Sequence, residues 1–229
     1  MALLGQAAVA MWWKVRPEQR SEFGDWHSHE HFPERLSIPG FRRGSRWSSI
    51  LEAYGFFVLY ELEHYETLTS KAYRDRLNAP TPWSTKMMPH HLEMVRSQCR
   101  VAASFGGGIA GSLSTVRLSP DAGREMDLKT ALVEVLRELP AKPGLTGAHL
   151  LLTDTPKTSS PTTEQQIRGR DAAADWIILL SGYDPDVVQK TVADRLSSSA
   201  LRLANARENP TIGHYRLAFT ITRHDLAAM

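Results

Sequence analysis

Residues 24–41 read GDWHSHEHFPERLSIPGF, a stretch with three histidines and two glutamates that ends just after a Pro-Gly pair. His27, Glu30 and His31 match the H-x-x-E-H spacing found in some zinc peptidases. Two imidazoles four residues apart on a helix can bind one metal ion. Such a site needs a further carboxylate ligand from a neighbouring helix, and Pro33 follows closely enough to end this helix. We therefore expect no metal.

The same histidines suit acid–base catalysis, which needs only one imidazole in a partly dry pocket. A histidine titrates near neutral pH and can take a proton from a carbonyl substrate or return it. His27 and His31, one helical turn apart, are therefore the candidate catalytic residues. Two alternatives stay open. One is a looser metal site that His64, His90 or His91 joins, and the other is a structural role at a helix end.

Aromatic side chains on the neighbouring predicted strands could wall an apolar, ring-shaped ligand. Arg46 could hold a carboxylate or phenolate group of that ligand. The residues that we expect to contact a substrate are Trp13, Arg46, Trp47, Tyr60 and His90. Each tryptophan could equally be an ordinary core residue, since large apolar rings are mostly buried.

The composition limits the partners and the compartment. Lys and Arg total 27 and Asp and Glu total 25, so the net charge is +2, and no long basic run predicts a nucleic-acid surface. Cys99 is the single cysteine, which excludes an internal disulfide and suits a reducing compartment or a small buried apolar site. The apolar opening MALLGQAAVAMWW is too short to span a bilayer. We expect a cytoplasmic protein that contacts neither membrane nor nucleic acid.

The predicted elements run β-α-β-β-α-β twice along the chain. Four short stretches agree in the same order: KVRPE with RLSPD, IPGF with KPGL, RDRL with ADRL, and CRVAAS with YRLAFT. Four matches in the same order indicate an internal duplication, with GGGIAG as the joint. We expect a first repeat at residues 1–108, which carries the candidate site, and a second, degenerate repeat at 109–229.

A βαββαβ unit is the ferredoxin-like arrangement, an antiparallel sheet with both helices on one face. The other face of the sheet stays bare unless a second unit covers it. We therefore predict an α+β fold in which two tandem ferredoxin-like repeats form a pseudo-dimeric α+β barrel. Since one chain supplies both halves, we expect a monomeric pseudo-dimer, which could associate further.

Residues 26–41, WHSHEHFPERLSIPGF, resemble the EthD-like branch of the dimeric α+β barrel superfamily, whose members often show a tryptophan or tyrosine, an E-H or H-x-P element, and P-G-[FL]. The resemblance implies His31 as the catalytic position. It also implies a cofactor-independent enzyme of isomerase, cyclase or lyase type, or a monooxygenase-like one, acting on a hydrophobic carbonyl, lactone or aromatic compound. The alternative is a non-catalytic small-molecule binding protein of the same fold. Some relatives bind haem, but no sequence feature predicts it here, and we expect no cofactor.

The second repeat serves as an internal control for the histidines. With the two Pro-Gly pairs aligned, His27 and His31 fall opposite Ala131 and Val135, within a shift of about one residue. Apolar residues at those positions indicate that the scaffold itself does not need imidazoles there.

Two segments are harder to interpret. Residues 80–94, PTPWSTKMMPHHLEM, are apolar enough to form a lid, or merely to cover an open barrel end. Residues 155–171, TPKTSSPTTEQQIRGRD, are polar with few apolar residues, so we assign them no structure.

Overall fold

The β-rich runs of the sequence form an antiparallel barrel in the computed structural model, which describes residues 3–53, 55–154, 161–168 and 171–228. Its strands are β1 (Ala7–Lys14), β2 (Phe41–Ser49), β3 (Gly55–Leu62), β4 (Leu92–Gly106), β5 (Ser112–Leu118), β6 (Leu145–Thr153), β7 (Trp176–Gly182) and β8 (Thr211–Thr222). They follow the order β1-β3-β2-β8-β5-β7-β6-β4, and β4 pairs with β1 to close the barrel. The predicted α+β class is confirmed.

Helices pack on the outside of this barrel. They are α1 (Arg20–Trp26), α2 (Phe32–Ser37), α3 (Lys71–Asn78), α4 (Pro82–Met87), α5 (Glu125–Glu138), α6 (Thr163–Arg168), α7 (Pro185–Arg195) and α8 (Ser198–Leu203). A π-helical turn, His27–His31, joins α1 to α2, and short 3-10 turns lie at Pro17–Gln19, Tyr65–Thr69, Met88–His90, Leu139–Ala141 and Arg223–Ala228. Within the described ranges, no helix is both long enough and apolar enough to cross a membrane.

Each half of the chain contributes four neighbouring strands. The first four lie in the order β4-β1-β3-β2 and the last four in the order β8-β5-β7-β6. The halves meet at two seams: β2 pairs with β8, where Arg43 lies opposite Thr222, and β4 pairs with β6, where Arg100 lies opposite Leu152. The duplication itself and the division after residue 108 remain predictions.

Strand alternation sorts the side chains into an inner barrel core and an outer layer beneath the helices. On β1, Trp12 belongs to the inner core, whereas Met11 and Trp13 pack against the first-half helices. Trp47 of β2 and Phe57 of β3 also point into the barrel. Neighbouring residues of one strand therefore pack in two separate hydrophobic cores, one inside the barrel and one beneath the helices.

The segment that carries the histidines is helical from α1 to α2 because its apolar residues recur on one face. Phe23, Trp26 and Phe32 are fully buried. In the π-helical turn, the N–H of Phe32 donates to the carbonyl of His27, five residues earlier, where an α-helix would use four. The chain then turns into β2 through Gly40, whose φ of 94° is readily accessible to glycine.

The absence of structure that we expected for residues 155–171 is wrong for part of that segment, since it contains α6. Thr162 and Gln165 form a capping box: the Gln165 N–H donates to Thr162 Oγ1 at 3.4 Å, and Gln165 Oε1 accepts from the Thr162 N–H at 2.9 Å. The N–H of Thr163 donates to Asn78 Oδ1 at 3.1 Å, which ties α6 to the end of α3. Residues 155–160 and 169–170 lie outside the described residues.

Residues 80–94 form α4, the Met88–His90 turn and the start of β4. The indole N–H of Trp26 donates to Ser84 Oγ at 3.2 Å, and Met87 is fully buried in the core beneath the first-half helices. This segment therefore packs α4 against α1, outside the barrel wall.

Candidate functional site

His27 is buried (1% exposed) among aromatic rings on the helix side of the sheet. Its ring stacks on Phe23, with centroids 5.2 Å apart, and meets the edge of Phe32 at 4.3 Å. The Nδ1 atom has no hydrogen-bond partner in the described part of the chain. Burial lowers the pKa of His27 well below its usual value, and the positive charge of Arg46 adds to the effect. His27 is therefore a neutral ring at neutral pH.

His31, one turn later, is also buried, and its ring lies 4.5 Å from that of Trp26 and 5.4 Å from that of His27. Its Nδ1 is 4.0 Å from a carboxylate oxygen of Glu34. Burial raises the pKa of Glu34, although the charge of Arg76, 3.2 Å away, opposes this. The imidazole of His31 thus has an aromatic wall on one side and a carboxylate beside it.

His31 faces a small cavity between the sheet and the helices, which we call the helix-side pocket. Its polar lining residues are His31, Arg35, Tyr60, Tyr73, Arg96 and Glu164, and apolar side chains of β1, β2 and α3 complete the wall. The cavity volume is about 30 Å³, which is room for about one water molecule. A larger ligand needs one wall of the pocket to move.

Two side chains of the helix-side pocket carry hydrogen-bond donors that are not used. The hydroxyl of Tyr60 and the Nη1 of Arg35 are buried and lack partners within the described residues. Burial raises the pKa of Tyr60, so the phenol keeps its proton. A buried donor without an acceptor costs about 1–3 kcal/mol. Both groups could donate to one oxygen atom of a ligand.

The other amino group of Arg35 pairs with the carboxylate of Glu164, on α6. Burial is the largest single influence and would lower the pKa of Arg35, but the charge and hydrogen bond of Glu164 together with Tyr73 and Tyr60 outweigh it, so the pKa is raised. The guanidinium therefore stays positive inside the pocket. Our sequence interpretation missed Glu164, although the T-x-x-Q capping pattern at Thr162 and Gln165 is a readable signal for the helix that carries it.

Arg46 braces the π-helical turn. Its guanidinium donates to Ser28 Oγ at 3.0 Å and to the Gly24 carbonyl at 3.3 Å, and it lies over the ring of Phe23 at 5.6 Å. Burial lowers the pKa of Arg46 to about 10. The Arg46 guanidinium, which we expected to bind an anionic group of a ligand, is therefore already hydrogen-bonded within the protein. Its role in ligand binding remains a prediction.

The other predicted site residues fall in different places. Trp13 and Tyr60 lie on the same outer face of the sheet as the histidines, whereas Trp47 points into the barrel. His90 is half-buried at the end of its turn. Its neighbour His91 packs against Trp13 instead, with ring centroids 5.0 Å apart at 77°. Trp47 is thus separated from the group by the thickness of the sheet.

The H-x-x-E-H residues are arranged for packing and tethering. Glu30 accepts a hydrogen bond from Thr81 Oγ1 at 2.6 Å, and the rings of His27 and His31 stack at 30°. In the residues that the structure describes, no group of three or more His, Cys, Asp or Glu side chains is placed to hold a metal ion. The closed pocket beside His31, at about 30 Å³, has no room for a haem.

Neither a protein-family profile nor a curated protein sequence matches the chain. Solved structures do match in three dimensions. An anthrone oxidase-like protein is 13% identical with a TM-score of 0.64, covering 95% of this chain and 93% of its own. A proposed monooxygenase from Fusobacterium nucleatum subsp. nucleatum is 6% identical with a TM-score of 0.63, covering 96% of both chains.

A third match is a ferredoxin-fold protein from Listeria monocytogenes that is related to antibiotic biosynthesis monooxygenases. It is 8% identical with a TM-score of 0.51, covering 95% of this chain and 97% of its own. Identities this low establish the fold and no more. The chain is therefore similar to these proteins in fold, and that fold is the dimeric α+β barrel.

Proposed function

We propose that the chain is a small-molecule enzyme that uses His31 for cofactor-independent proton transfer in the helix-side pocket. The substrate would be a hydrophobic, ring-bearing carbonyl or phenolic compound. The EthD-like motif supports this chemistry, and the fold neighbour described as anthrone oxidase-like favours a substrate whose carbonyl activates a neighbouring C–H bond. We also propose that the chain is a cytoplasmic monomer built from two tandem ferredoxin-like repeats.

The observation that carries the proposal is the meeting of three groups in one pocket. The Tyr60 hydroxyl and the Arg35 Nη1 are buried donors without partners among the residues that the structure describes, and the His31 imidazole lines the same cavity. A substrate carbonyl oxygen that accepted from Tyr60 and Arg35 would satisfy both donors at once. Its acidic C–H or O–H group would then lie within reach of His31.

The proposed reaction follows from those positions. His31 takes the proton from the substrate, and the electron pair moves onto the carbonyl oxygen to give an enolate or phenolate. The positive charge of Arg35 and the hydroxyl of Tyr60 stabilise that oxyanion in a place without bulk water. Return of the proton from His31 to another atom completes an isomerisation. In a cyclisation, the enolate carbon attacks a second carbonyl carbon of the same molecule, and His31 gives its proton to the oxygen of that carbonyl. A proton-transfer step of this kind contributes about 10²–10⁴-fold in rate.

The substrate must displace part of the wall, and α6 is the element that we infer moves. Glu164 of α6 occupies the Arg35 guanidinium in the closed pocket. A substrate oxyanion offers Arg35 the same charge and the same acceptor geometry as the carboxylate of Glu164. Ligand entry would therefore exchange one anionic partner of Arg35 for another, which limits the cost of opening.

The π-helical turn supports a dedicated role for His31. In α5, the inward residues Leu128, Leu132 and Leu136 are spaced by four, as in a regular helix. In the first half, Phe23 and His27 are spaced by four, but the next inward residue, Phe32, is five further on. One extra residue in the turn brings His31 to the pocket, and π-helical turns are frequent at functional sites.

This register differs slightly from the alignment made from the sequence. By spacing along the inward face, His27 corresponds to Leu132 rather than to Ala131, a shift of one residue. The conclusion drawn from the alignment is unchanged, because Leu132 is as apolar as Ala131.

A deuterium-exchange experiment tests the proposal. The probe is anthrone, kept under argon in D₂O, and the measurement is mass-spectrometric uptake of deuterium at its methylene carbon. We expect the protein to accelerate uptake, and His31→Val to lower the acceleration at least 100-fold while leaving the melting temperature unchanged or raised. His29→Val is the matched control, because His29 is exposed on the same turn.

Two outcomes would oppose the assignment. Equal exchange in wild type and His31→Val would remove His31 from the chemistry, and a marked fall in the melting temperature of His31→Val would make its role structural. Binding of anthrone without accelerated exchange, weakened by His31→Val, would favour the alternative function, a non-catalytic small-molecule binding protein.

A further inference from the structure

The barrel interior opens at one end into a second cavity, which we call the barrel-mouth pocket. It lies where β1 ends at Lys14 and β2 ends at Ser49, and where β8 begins at Thr211. Its volume is about 320 Å³, compared with about 30 Å³ for the helix-side pocket. Cavities of roughly 300–1,000 Å³ accommodate small-molecule ligands. The mouth therefore has room for a ligand without any movement of the fold.

A half-buried arginine reaches into this pocket. Arg117 alternates along β5 with Val116 and Leu118, which pack beneath the second-half helices, so Arg117 points into the barrel. Its guanidinium carbon lies 5.0 Å above the ring of Trp12. Among the described residues, Arg117 forms no ion pair with a carboxylate. Burial disfavours the charge of a cation that has no ion pair, so an anion bound beside Arg117 would be stabilised there.

The carboxylates at the mouth are already engaged. Glu52 lies 3.3 Å and Glu93 2.9 Å from the amino group of Lys14. Together with Arg117, these groups leave the mouth close to neutral. Among the described residues Arg117 is the lining cation without an ion pair, and the charge of Glu52 attracts it only from a longer distance. This balance suits a ligand with a single negative charge, since the two carboxylates would repel a polyanion such as a nucleotide.

Apolar side chains line the barrel-mouth pocket beside its charged groups. Trp12, Phe56 and Tyr215 contribute rings to the wall. At the rim, Leu51 is 68% exposed and Ile212 is 36% exposed. Large aliphatic side chains left in water around a cavity are typical of the entrance to a ligand site.

The backbone at the mouth is held in an irregular conformation. Glu93 has a φ of 54°, which is unusual for a residue other than glycine, and the pairing of β1 with β4 shifts register between Trp12 and Lys14. Such bulges concentrate at barrel rims and beside binding sites, where they re-aim a side chain. Here the irregularity lies where Glu93 meets Lys14, at the edge of the pocket.

We propose that the barrel-mouth pocket is a second ligand site, which binds an aromatic monocarboxylate with its ring on Trp12 and its carboxylate on Arg117. The site is separate from the helix-side pocket, because among the described residues none lines both cavities. Its ligand class is set by the aromatic rings of the wall, the exposed Leu51 and Ile212 at the entrance, and a cation without an ion pair in the described residues. A carboxylate on Arg117 would complete the ion pair that the fold leaves open.

Calorimetric titration of the full chain tests this site with two matched probes, 2-naphthoate and the uncharged 2-naphthalenemethanol. We expect wild type to bind the carboxylate at least about ten times more tightly than the alcohol, since charge-assisted hydrogen bonds contribute about 10- to 100-fold. Arg117→Gln should weaken 2-naphthoate by about 10- to 100-fold and leave the alcohol nearly unchanged. Arg117→Lys should retain most of the preference.

His31→Val is the control that separates this site from the proposed function, and it should leave 2-naphthoate binding unchanged. Equal affinity of wild type for both probes, or an Arg117→Gln variant that binds 2-naphthoate as tightly as wild type, would overturn the proposal. A large loss of 2-naphthoate binding in His31→Val would place the ligand in the helix-side pocket instead. The comparison of probes on wild type needs no variant, so a poorly folding substitution does not weaken the test.

Discussion

Glu164 pairs with Arg35 across 129 positions of the chain, and both side chains are almost fully buried at 3% and 5% exposure. The pair joins α6 of the second half to α2 of the first half, above the helix-side pocket. Pairing compensates the cost of burying each charge, so the loss of one member leaves the other unpaired in a dry place. The same contact therefore contributes to folding and closes the candidate site.

We predict that Glu164→Gln lowers the free energy of unfolding by about 3–5 kcal/mol, because Arg35 keeps its charge and loses its anionic partner. The double variant Arg35→Met with Glu164→Leu should recover most of that loss, since it buries apolar groups of similar size. Urea unfolding measures both effects. Glu66→Gln is the control, because Glu66 is 75% exposed in its contact with Arg100 and exposed pairs contribute little. A Glu164→Gln variant as stable as wild type would contradict the prediction.

The π-helical turn gives a second prediction. Deletion of His29, which is exposed, should convert the turn into regular α-helix with His27 and Phe32 four apart, and rotate His31 away from the helix-side pocket. The melting temperature should stay the same or rise, while proton exchange with anthrone falls by about 100-fold because the base is misplaced. His29→Ala keeps the turn and should behave as wild type. Loss of folding in the deletion alone would show that the turn is a structural necessity.

The barrel could be predicted from the sequence because its signals are local. Apolar, β-rich runs such as AAVAMWWK and the two Pro-Gly turns indicated the order of the elements, and the repeat of that order suggested how a bare sheet face is covered. The placement of Trp47 was not predicted. Strand alternation puts Arg46 and Trp47 on opposite faces, but only the structure shows that Arg46 faces the helices and Trp47 the barrel interior.

The closure of the site was harder to predict, because its determinants are distant in the chain. Glu164 contacts Arg35 only once the barrel has folded. The segment that forms α6 is polar, so it has no hydrophobic periodicity from which its helix could be predicted. The π-helical turn likewise has no letter pattern of its own, since it shows only as a spacing of five between inward residues. Which of two adjacent histidines packs on Trp13 depends on the geometry of a single turn, and it is His91.

Acid should destabilise the protein through its buried histidines. Burial lowers the pKa of His149 to about 4, from 6.5 in the unfolded chain. Between these values the unfolded chain binds a proton that the folded one does not, so stability is complete above pH 6.5 and falls as the pH drops toward 4. The loss amounts to about 3 kcal/mol. His27, whose pKa is also lowered by burial, adds to the same slope.

The measurement for this third prediction is the free energy of unfolding at several pH values between 7 and 4. At pH 7 the free energy of unfolding of His149→Gln should be lower than that of wild type, because the contact with Ser104 Oγ at 3.0 Å is altered. Between pH 7 and pH 4, however, the variant should lose about 3 kcal/mol less stability than wild type. The difference between the unfolding free energies of variant and wild type at each pH removes the contribution of the carboxylates, which both proteins share. Parallel curves would show that His149 does not titrate in this range.

The last prediction concerns the two halves of the barrel. Residues 1–108 alone should not fold as a stable monomer, because β2 loses its partner β8 and β4 loses β6. The sheet face that carries Trp12, Trp47 and Phe57 would also be exposed to water, and unpaired edges beside a bare apolar face favour aggregation. Analytical ultracentrifugation and thermal melting should therefore find aggregated or self-associated material. Co-expression with residues 109–229 should restore a soluble one-to-one complex, since both seams can then form. A monomeric, cooperatively melting 1–108 fragment would show that the first half does not need the second, and would remove the support for tandem repeats that complete one barrel.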